Sequence, residues 1–313
     1  MRAATIRDRE LHVLEHPDPE PGAGEVLIRV TAAGLNGADM HQLRGRYPAP
    51  PGVPPDIPGL ELAGEVAARG HRAERFSVGD RVMGIVAGGA QAELAIVHER
   101  QLMAVPEALS WEEAGGLPEV FTTAHDAIVT QAGLKPGEHL LVHGGAGGVG
   151  TAAIQLGHVL GAKVTATVRN PELRDGVAAF GAEVIEPEGF GAHGPFDVIL
   201  ELVGAPNLAE NLAALATLGR IAVIGIGGGA KGELNLGIML AKRLRIFGST
   251  LRPRPLEEKA LTARALERSV LPFFADGRLK VPIAATYPLD QVAEAYAHFT
   301  AGGKLGKIIL LML

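Results

Sequence analysis

Two rhythms of apolar and polar residues divide this chain. Up to about residue 117 the apolar positions come in short runs bounded by Pro and Gly. EVLIRVTAAG (25–34) and LELAGEVAARG (60–70) are of this kind, and FSVGDRVMGIVAGGAQAELAIV (76–97) reads as a turn, a strand, a glycine bend and another strand. Such runs between turn residues predict β-strands. Between the first two lies RGRYPAPPGVPPDIPG (44–59), with six prolines. That composition predicts a long surface loop without regular structure, a kind of segment that is often functional.

Near residue 118 the rhythm changes. TAAIQLGHVLGAK (151–163) carries apolar residues at helical spacing and stops at Gly161, and the β-branched run KVTATV (163–168) follows. Asn170, Pro171 and Glu172 suit an N-cap, a first helical position and an acid at the positive end of a helix running to Phe180. EVIE (183–186), DVILELV (197–203) and RIAVIGI (220–226) are further strand-like runs, and NLAENLAALATLG (207–219) reads as a helix ending at Gly219. RLRIFGSTL (243–251) alternates like an edge strand, residues 252–279 read as mainly helical, and KLGKIILLML (304–313) ends in a strand. Continuous apolar strands alternating with helices predict an α/β fold, its parallel sheet covered on both faces.

Composition narrows the function. The 313 residues favour two domains. Aromatics are only 4%, so the cores are aliphatic, and 42 glycines, spread among the strand-like runs, mark turns and close approaches of backbone. The net charge of −6, with no basic stripe, argues against a nucleic-acid partner. There is no cysteine, hence no disulfide, no thiolate nucleophile and no zinc site built on sulfur. The first twenty residues are charged throughout and no long apolar stretch exists, so neither a signal peptide nor a membrane span is expected and a cytoplasmic protein is the default.

The chemistry concentrates at LLVHGGAGGVG (140–150), where an apolar run meets five glycines. Gly145, Ala146, Gly147, Gly148, Val149 and Gly150 match G-x-G-x-x-G between a strand and an amphipathic helix. In that context the glycines allow a tight turn and close approach of a pyrophosphate, and the helix N-terminus offers free N–H groups. A similar hexapeptide, GIGGGA (225–230), opens no helix, and Gly225 and Ile226 are expected in a loop near the cofactor. An NAD site would place an acid at the end of the second strand to hold the ribose 2′-hydroxyl. No acid lies between residues 146 and 171, and Arg169 stands at that place with Asn170 beside it. Arginine can hold a 2′-phosphate through two parallel hydrogen bonds, so the expected cofactor is NADPH, with Arg174 as a second cation.

Several segments together resemble a known family. AAGLNGADMHQLRGRYPAPPG, PGLELAGEV, FSVGDRV, LPEVFTTAHDAI, VHGGAGGVGTAAIQL and GKIIL are similar, in order and over essentially the whole chain, to the zinc-free NADPH:quinone oxidoreductases of the medium-chain dehydrogenase/reductase superfamily, the zeta-crystallin-like group. GSTLRPRPLEEK and LPEVFTTA lie nearest its tumour-suppressor-inducible branch. The resemblance implies a Rossmann doubly wound parallel sheet (118–261) inserted in a GroES-like β-rich catalytic domain (1–117 plus 262–313). It implies a homodimer joined along the 243–251 edge, with a cleft between the domains of each subunit.

The resemblance also assigns roles. Zinc-dependent members have cysteine, histidine and cysteine where this chain has Asn36, Leu60 and Glu119, so Lewis-acid chemistry is not expected and hydride transfer to a quinone is. Asn36 would line the nicotinamide end of the site, Tyr47 the substrate end, and Thr123 the ribose and nicotinamide. Gly147, Gly148 and Val149 would meet the pyrophosphate, and Leu251 would complete the cofactor contacts. His143 reads as structural, and His41, His125 and Glu61 as hydrogen-bonded residues more than acids or bases. Two alternatives stay open: reduction of the C=C bond of an enone or enoyl thioester, and an NADPH-binding structural or RNA-binding role, which the negative charge disfavours.

Overall fold

The structure, a computed structural model, describes residues 1–312. The chain forms two compact units. One comprises Met1–Thr122, Leu251–Gly302 and the residues from Gly306 onward, and the other Thr123–Thr250 with Gly303–Leu305. The inserted unit is therefore shorter at both ends than the expected 118–261. Leu256–Ser269 is one continuous helix, anchored on the first unit by Arg264 donating to the Leu102 carbonyl and by an Arg75–Glu267 ion pair of 2.7 Å. A boundary at 261 would cut it. At the other end Phe121 packs edge-to-face on Phe274 of the first unit, ring centres 4.9 Å apart.

The first unit is built around the strand Glu25–Gly34. It pairs antiparallel with Glu61–Arg69, with Leu94–His98 and, through its last three residues, with Lys307–Leu311. The sheet continues through Arg81–Ile85 to Leu102–Ala104 on one side and to Ile283–Pro288 on the other. Alternation explains the core: Val26, Ile28 and Val30 turn inward and meet Leu62, Val66, Val82, Val97 and Leu102. Residues 44–59 carry no helix or strand, as expected. The hairpin Arg2–Arg7 and Glu10–Glu15, the strand Ile283–Pro288 and the helix Val292–Ala301 were not foreseen.

The second unit holds a six-stranded parallel sheet. In spatial order its strands are Glu183–Ile185, Lys163–Thr167, His139–Val142, Phe196–Glu201, Leu215–Val223 and Arg245–Gly248. The chain starts in the middle, winds outward, then returns to wind the other way. This is the Rossmann order, and its reversal leaves a crevice beyond the carboxyl ends of His139–Val142 and Phe196–Glu201. Arg245–Gly248 is an edge strand, as expected.

One helix expectation fails here and a second holds only in part. The helix expected over 207–219 stops at Ala214, and a strand begins at Leu215. Leu218 has a left-handed φ of +66°, which no helix accommodates, and Leu215 pairs with Phe196 of the neighbouring strand. The helix expected from Asn170 to Phe180 is a 3₁₀ turn, Pro171–Leu173, followed by one short helix, Arg174–Ala178.

Phe196 is fully buried among Leu141, Phe190, Ile199, Leu212 and Ile221. We predict that Phe196→Ala lowers the stability of the second unit by about 3–5 kcal/mol in urea unfolding, the usual loss for a buried phenylalanine. A loss under about 1 kcal/mol would contradict this packing.

Candidate functional site

The glycine loop leaves the buried strand His139–Val142 at the reversal of strand order. Its glycines do two different jobs. A Cβ on Gly150 would strike the Gly144 carbonyl and come within 2.9 Å of the Gly145 Cα, so the start of the helix Gly148–Val159 rests directly on the loop. A Cβ on Gly145 would come within 3.0 Å of the Ala166 Cβ. Gly147 is unlike these, because a Cβ there would meet only the Gly144 carbonyl, at an ordinary 3.6 Å. Packing within the protein does not require bare backbone at 147, whereas a phosphate lying against it does. Gly147 is also the N-cap and offers no side chain. The N–H groups of Gly148, Val149 and Gly150 therefore begin a twelve-residue helix without intrahelical acceptors. A dinucleotide pyrophosphate fits that donor set.

Around the loop, Arg169 is exposed just beyond the strand Lys163–Thr167. The Asn170 side chain accepts from the Glu172 N–H at 3.1 Å, closing the turn that follows. Arg174 is already engaged: its Nε donates to the Val168 carbonyl at 3.1 Å and it pairs with Glu186 at 3.0 Å. Gly225 and Ile226 lie beyond the carboxyl end of Leu215–Val223, so their loop sits at the same end of the parallel sheet as the glycine loop. A Cβ on Gly225 would strike the Leu202 carbonyl, and Ile226 is 55% exposed. Thr123 is buried in the helix Pro118–His125.

Beneath the glycine loop lies a sealed polar network. His143 meets Thr167 Oγ1 at 3.2 Å through Nδ1 and Asn211 Oδ1 at 2.8 Å through Nε2. Asn211 donates on to Glu201 Oε2 at 2.7 Å, and Glu201 Oε1 accepts the N–H groups of Val203 and Gly204 at 2.6 and 2.8 Å. Burial pushes the His143 pKa down, favouring the neutral ring that such a chain of contacts needs.

The first unit carries the second group of candidates. Glu61 is fully buried, and Lys307 Nζ pairs with its Oε1 at 2.6 Å. The same Nζ donates to the Leu35 carbonyl and to Asn36 Oδ1, each at 2.7 Å. Asn36 Nδ2 donates to Glu61 Oε1 at 2.9 Å, and Glu61 Oε2 accepts the Glu119 N–H at 2.8 Å. One carboxylate thus holds the Asn36 amide with one oxygen and the Glu119 backbone with the other. Asp39, also fully buried, accepts the Asn36 and Gly59 N–H groups at 2.8 and 3.1 Å, and burial raises its pKa to about 6. The Glu119 carboxyl is partly buried, and burial, reinforced by the Glu61 charge, pushes its pKa up to about 8.

Tyr47 lies half-buried in the proline-rich loop, held by Arg252. Arg252 is 5% exposed, and its guanidinium stands 4.8 Å from the centre of the Tyr47 ring. It donates to the Tyr47 carbonyl at 3.0 Å, to the Ala87 carbonyl at 2.6 Å and to Gln42 Oε1 at 2.7 Å. Burial raises the Tyr47 pKa. Leu251, immediately before Arg252, is buried. His41 is exposed, and His125 is buried with its pKa lowered by that burial. Sequence reading missed Lys307 and Arg252. Each had a signal: a lysine opening the otherwise apolar run IILL, and an arginine between apolar and proline residues in GSTLRPRP.

A GroES-like β unit interrupted by a Rossmann unit defines the medium-chain dehydrogenase/reductase class. Residues 22–107 match the alcohol dehydrogenase GroES-like domain family and residues 148–267 the zinc-binding dehydrogenase family. The chain belongs to the quinone oxidoreductase family within that class: it is 33% identical to the human quinone oxidoreductase over 307 residues, covering 94% of this chain and 91% of that protein. Among solved structures, an NAD-dependent alcohol dehydrogenase superposes with a TM-score of 0.88 at 28% identity, covering 100% of both chains. A mycobacterial protein solved with NADPH superposes with a TM-score of 0.87 at 28% identity, covering 99% of both. The protein is an NAD(P)-dependent oxidoreductase. Among the described residues no helix is long and apolar enough to cross a membrane.

Lys307 is the cation that faces the fully buried Glu61, and removing one partner of a buried pair strands the other charge. Lys307→Met is predicted to cost about 3–5 kcal/mol of stability, part of it regained in Lys307→Met/Glu61→Gln. Thermal or urea unfolding of the two variants checks this, and a harmless single substitution would refute it.

Proposed function

We propose that this protein is an NADPH-dependent, metal-independent reductase of quinones. The observation that carries the cofactor half is the exposed, unpaired Arg169 at the end of Lys163–Thr167, with no acid between residues 146 and 171 to hold a ribose 2′-hydroxyl. Its guanidinium offers a 2′-phosphate two parallel donors, and the free N–H groups of Gly148, Val149 and Gly150 receive the pyrophosphate. The bound cofactor supplies hydride from its nicotinamide.

The chemistry of the first unit supports a metal-free acceptor. Asn36, Leu60 and Glu119 stand at the positions that hold zinc in the zinc-dependent members, and the chain has no cysteine. An amide, an alkyl group and a carboxyl do not make the soft tetrahedral site that polarises an alcohol or a simple carbonyl. A quinone needs no such polarisation, because it accepts electrons readily. Asn36, oriented by Lys307 and Glu61, lines the site, and Tyr47, fixed by Arg252, borders the acceptor. The names of the curated relatives agree with this reading. A second reading, reduction of an activated C=C bond, is favoured by one observation: Glu119 is a partly exposed carboxyl inside the polar cluster, suited to protonating carbon.

The edge strand Arg245–Gly248 and the neighbouring exposed Leu236 and Leu240, 70% and 83% accessible, support a two-fold dimer through that edge.

Two measurements test the proposal. Fluorescence titration should show NADPH binding about 10- to 100-fold tighter than NADH, the value of a charge-assisted contact of about 1.5–3 kcal/mol, and Arg169→Ala should remove the difference. Equal affinities in the wild type would sink the NADPH assignment. Light scattering should give a dimer, weakened by Leu240→Asp, and a strict monomer at high micromolar concentration would refute the assembly.

A further inference from the structure

Each two-electron reduction of a quinone by hydride consumes one proton, and most polar groups clustered around Asn36 are already committed. Lys307 is buried with three acceptors around its ammonium. Both oxygens of Glu61 are occupied, one by Asn36 and Lys307 and the other by the Glu119 N–H. Both oxygens of Asp39 are occupied by backbone N–H groups. Arg252 spends its donors on Ala87, Tyr47 and Gln42. In the cluster around Asn36 and Arg252 two groups are left, the Tyr47 hydroxyl and the Glu119 carboxyl. Neither meets a hydrogen-bond partner from the protein, and both are partly exposed. Burial weakens Tyr47 further as an acid.

We propose that the Glu119 carboxylic acid donates the proton that completes acceptor reduction. This rests on the reading above, in which the acceptor binds beside Asn36 and Tyr47. Placement supports the role. Glu61 grips the Glu119 backbone with one oxygen, at 2.8 Å, and the Asn36 amide with the other, at 2.9 Å, so Asn36 and Glu119 flank a single fixed carboxylate. Pro118 precedes Glu119 at the start of the helix Pro118–His125, which fixes the backbone on the other side. The charged groups facing Glu119 are Glu61 and Asp39, which disfavour its ionisation, and Lys307 and Arg252, which favour it. Burial tips the balance, and with a pKa of about 8 the group is protonated at neutral pH. In the step itself, hydride reduces the quinone as the dihydronicotinamide is oxidised. The Glu119 O–H bond breaks as an O–H bond forms on the hydroquinone, and the carboxylate regains its proton from water.

The test compares wild type, Glu119→Gln, Glu119→Asp and Tyr47→Phe, with NADPH and a 1,4-naphthoquinone, from neutral to alkaline pH. An acid catalyst works only while protonated, so wild-type kcat should fall as pH rises through about 8. Glu119→Gln should be slower by on the order of 100-fold and lose that alkaline limb, with NADPH affinity unchanged. Glu119→Asp should recover part of the rate and the limb, and Tyr47→Phe should keep the limb. A Glu119→Gln enzyme within about two-fold of wild type, or one that keeps the limb, overturns the proposal. Infrared spectroscopy gives a readout that needs no turnover: a protonated-carboxyl carbonyl band that titrates near pH 8 and vanishes in Glu119→Gln. Absence of that band also overturns it. A wild type that ignores quinones but reduces an enone overturns the quinone reading alone. The same variants are then read on the enone, where the proton goes to carbon.

Discussion

The buried ion pair between Lys307 and Glu61 is the interaction on which the first unit's candidate site depends. Neither group can be buried alone without a large desolvation cost, and the pair lies in the interior at 2.6 Å. Each is satisfied beyond the other. The ammonium also holds the Leu35 carbonyl and Asn36 Oδ1, and the carboxylate also holds the Asn36 amide and the Glu119 backbone. The pair therefore acts as a jig. It fixes which way the Asn36 amide faces and where the helix bearing Glu119 begins, and it does so in a region where water cannot offer substitutes.

The same arrangement sets the electrostatics. Three carboxyl groups share the neighbourhood with one buried ammonium and one buried guanidinium. The ammonium sits directly on Glu61 and anchors it. Asp39 is committed to backbone N–H groups. Glu119 feels the Glu61 charge without the benefit of direct pairing, and its ionisation is opposed. One carboxyl is structural because it is saturated; another is chemically available because it is not. The second unit follows a similar division. His143, Asn211 and Glu201 are saturated beneath the glycine loop, while the N–H groups of Gly148, Val149 and Gly150 have no intrahelical acceptor.

Much of the fold was legible in the sequence, because period and punctuation agreed wherever an element was long. The strand Glu25–Gly34 and the strand–glycine–helix order at 139–159 follow directly from their apolar spacing and flanking glycines. Reading failed where tertiary pairing outweighed local pattern. Residues 215–219 keep helical spacing, yet Leu215 is drawn into register with Phe196 and Leu218 turns left-handed. The glycine loop at 144–150 could be read because it lies, in sequence order, between an apolar strand and an amphipathic helix. Lys307 and Arg252 could not, because each acts on residues more than 200 positions away along the chain, Lys307 on Glu61 and Arg252 on Gln42. Their local signals, a lysine opening an apolar run and an arginine among prolines, do not say which distant group each cation meets.

The strand Lys307–Leu311 has a consequence for how the protein is made. It pairs with Glu25–Gly34 and brings the cation for Glu61, yet it is synthesised after the whole of Thr123–Thr250. At about 5–20 residues per second, roughly 10–40 s separate the emergence of Thr122 from that of Lys307. During that interval the nascent amino-terminal segment holds a carboxylate destined for burial without its counter-ion, and a central strand with an open edge. The second unit, nearly continuous in sequence, can complete its sheet meanwhile. Translation thus yields the Rossmann unit first, and the unit that carries Asn36, Tyr47 and Glu119 closes only once Lys307–Leu311 has emerged.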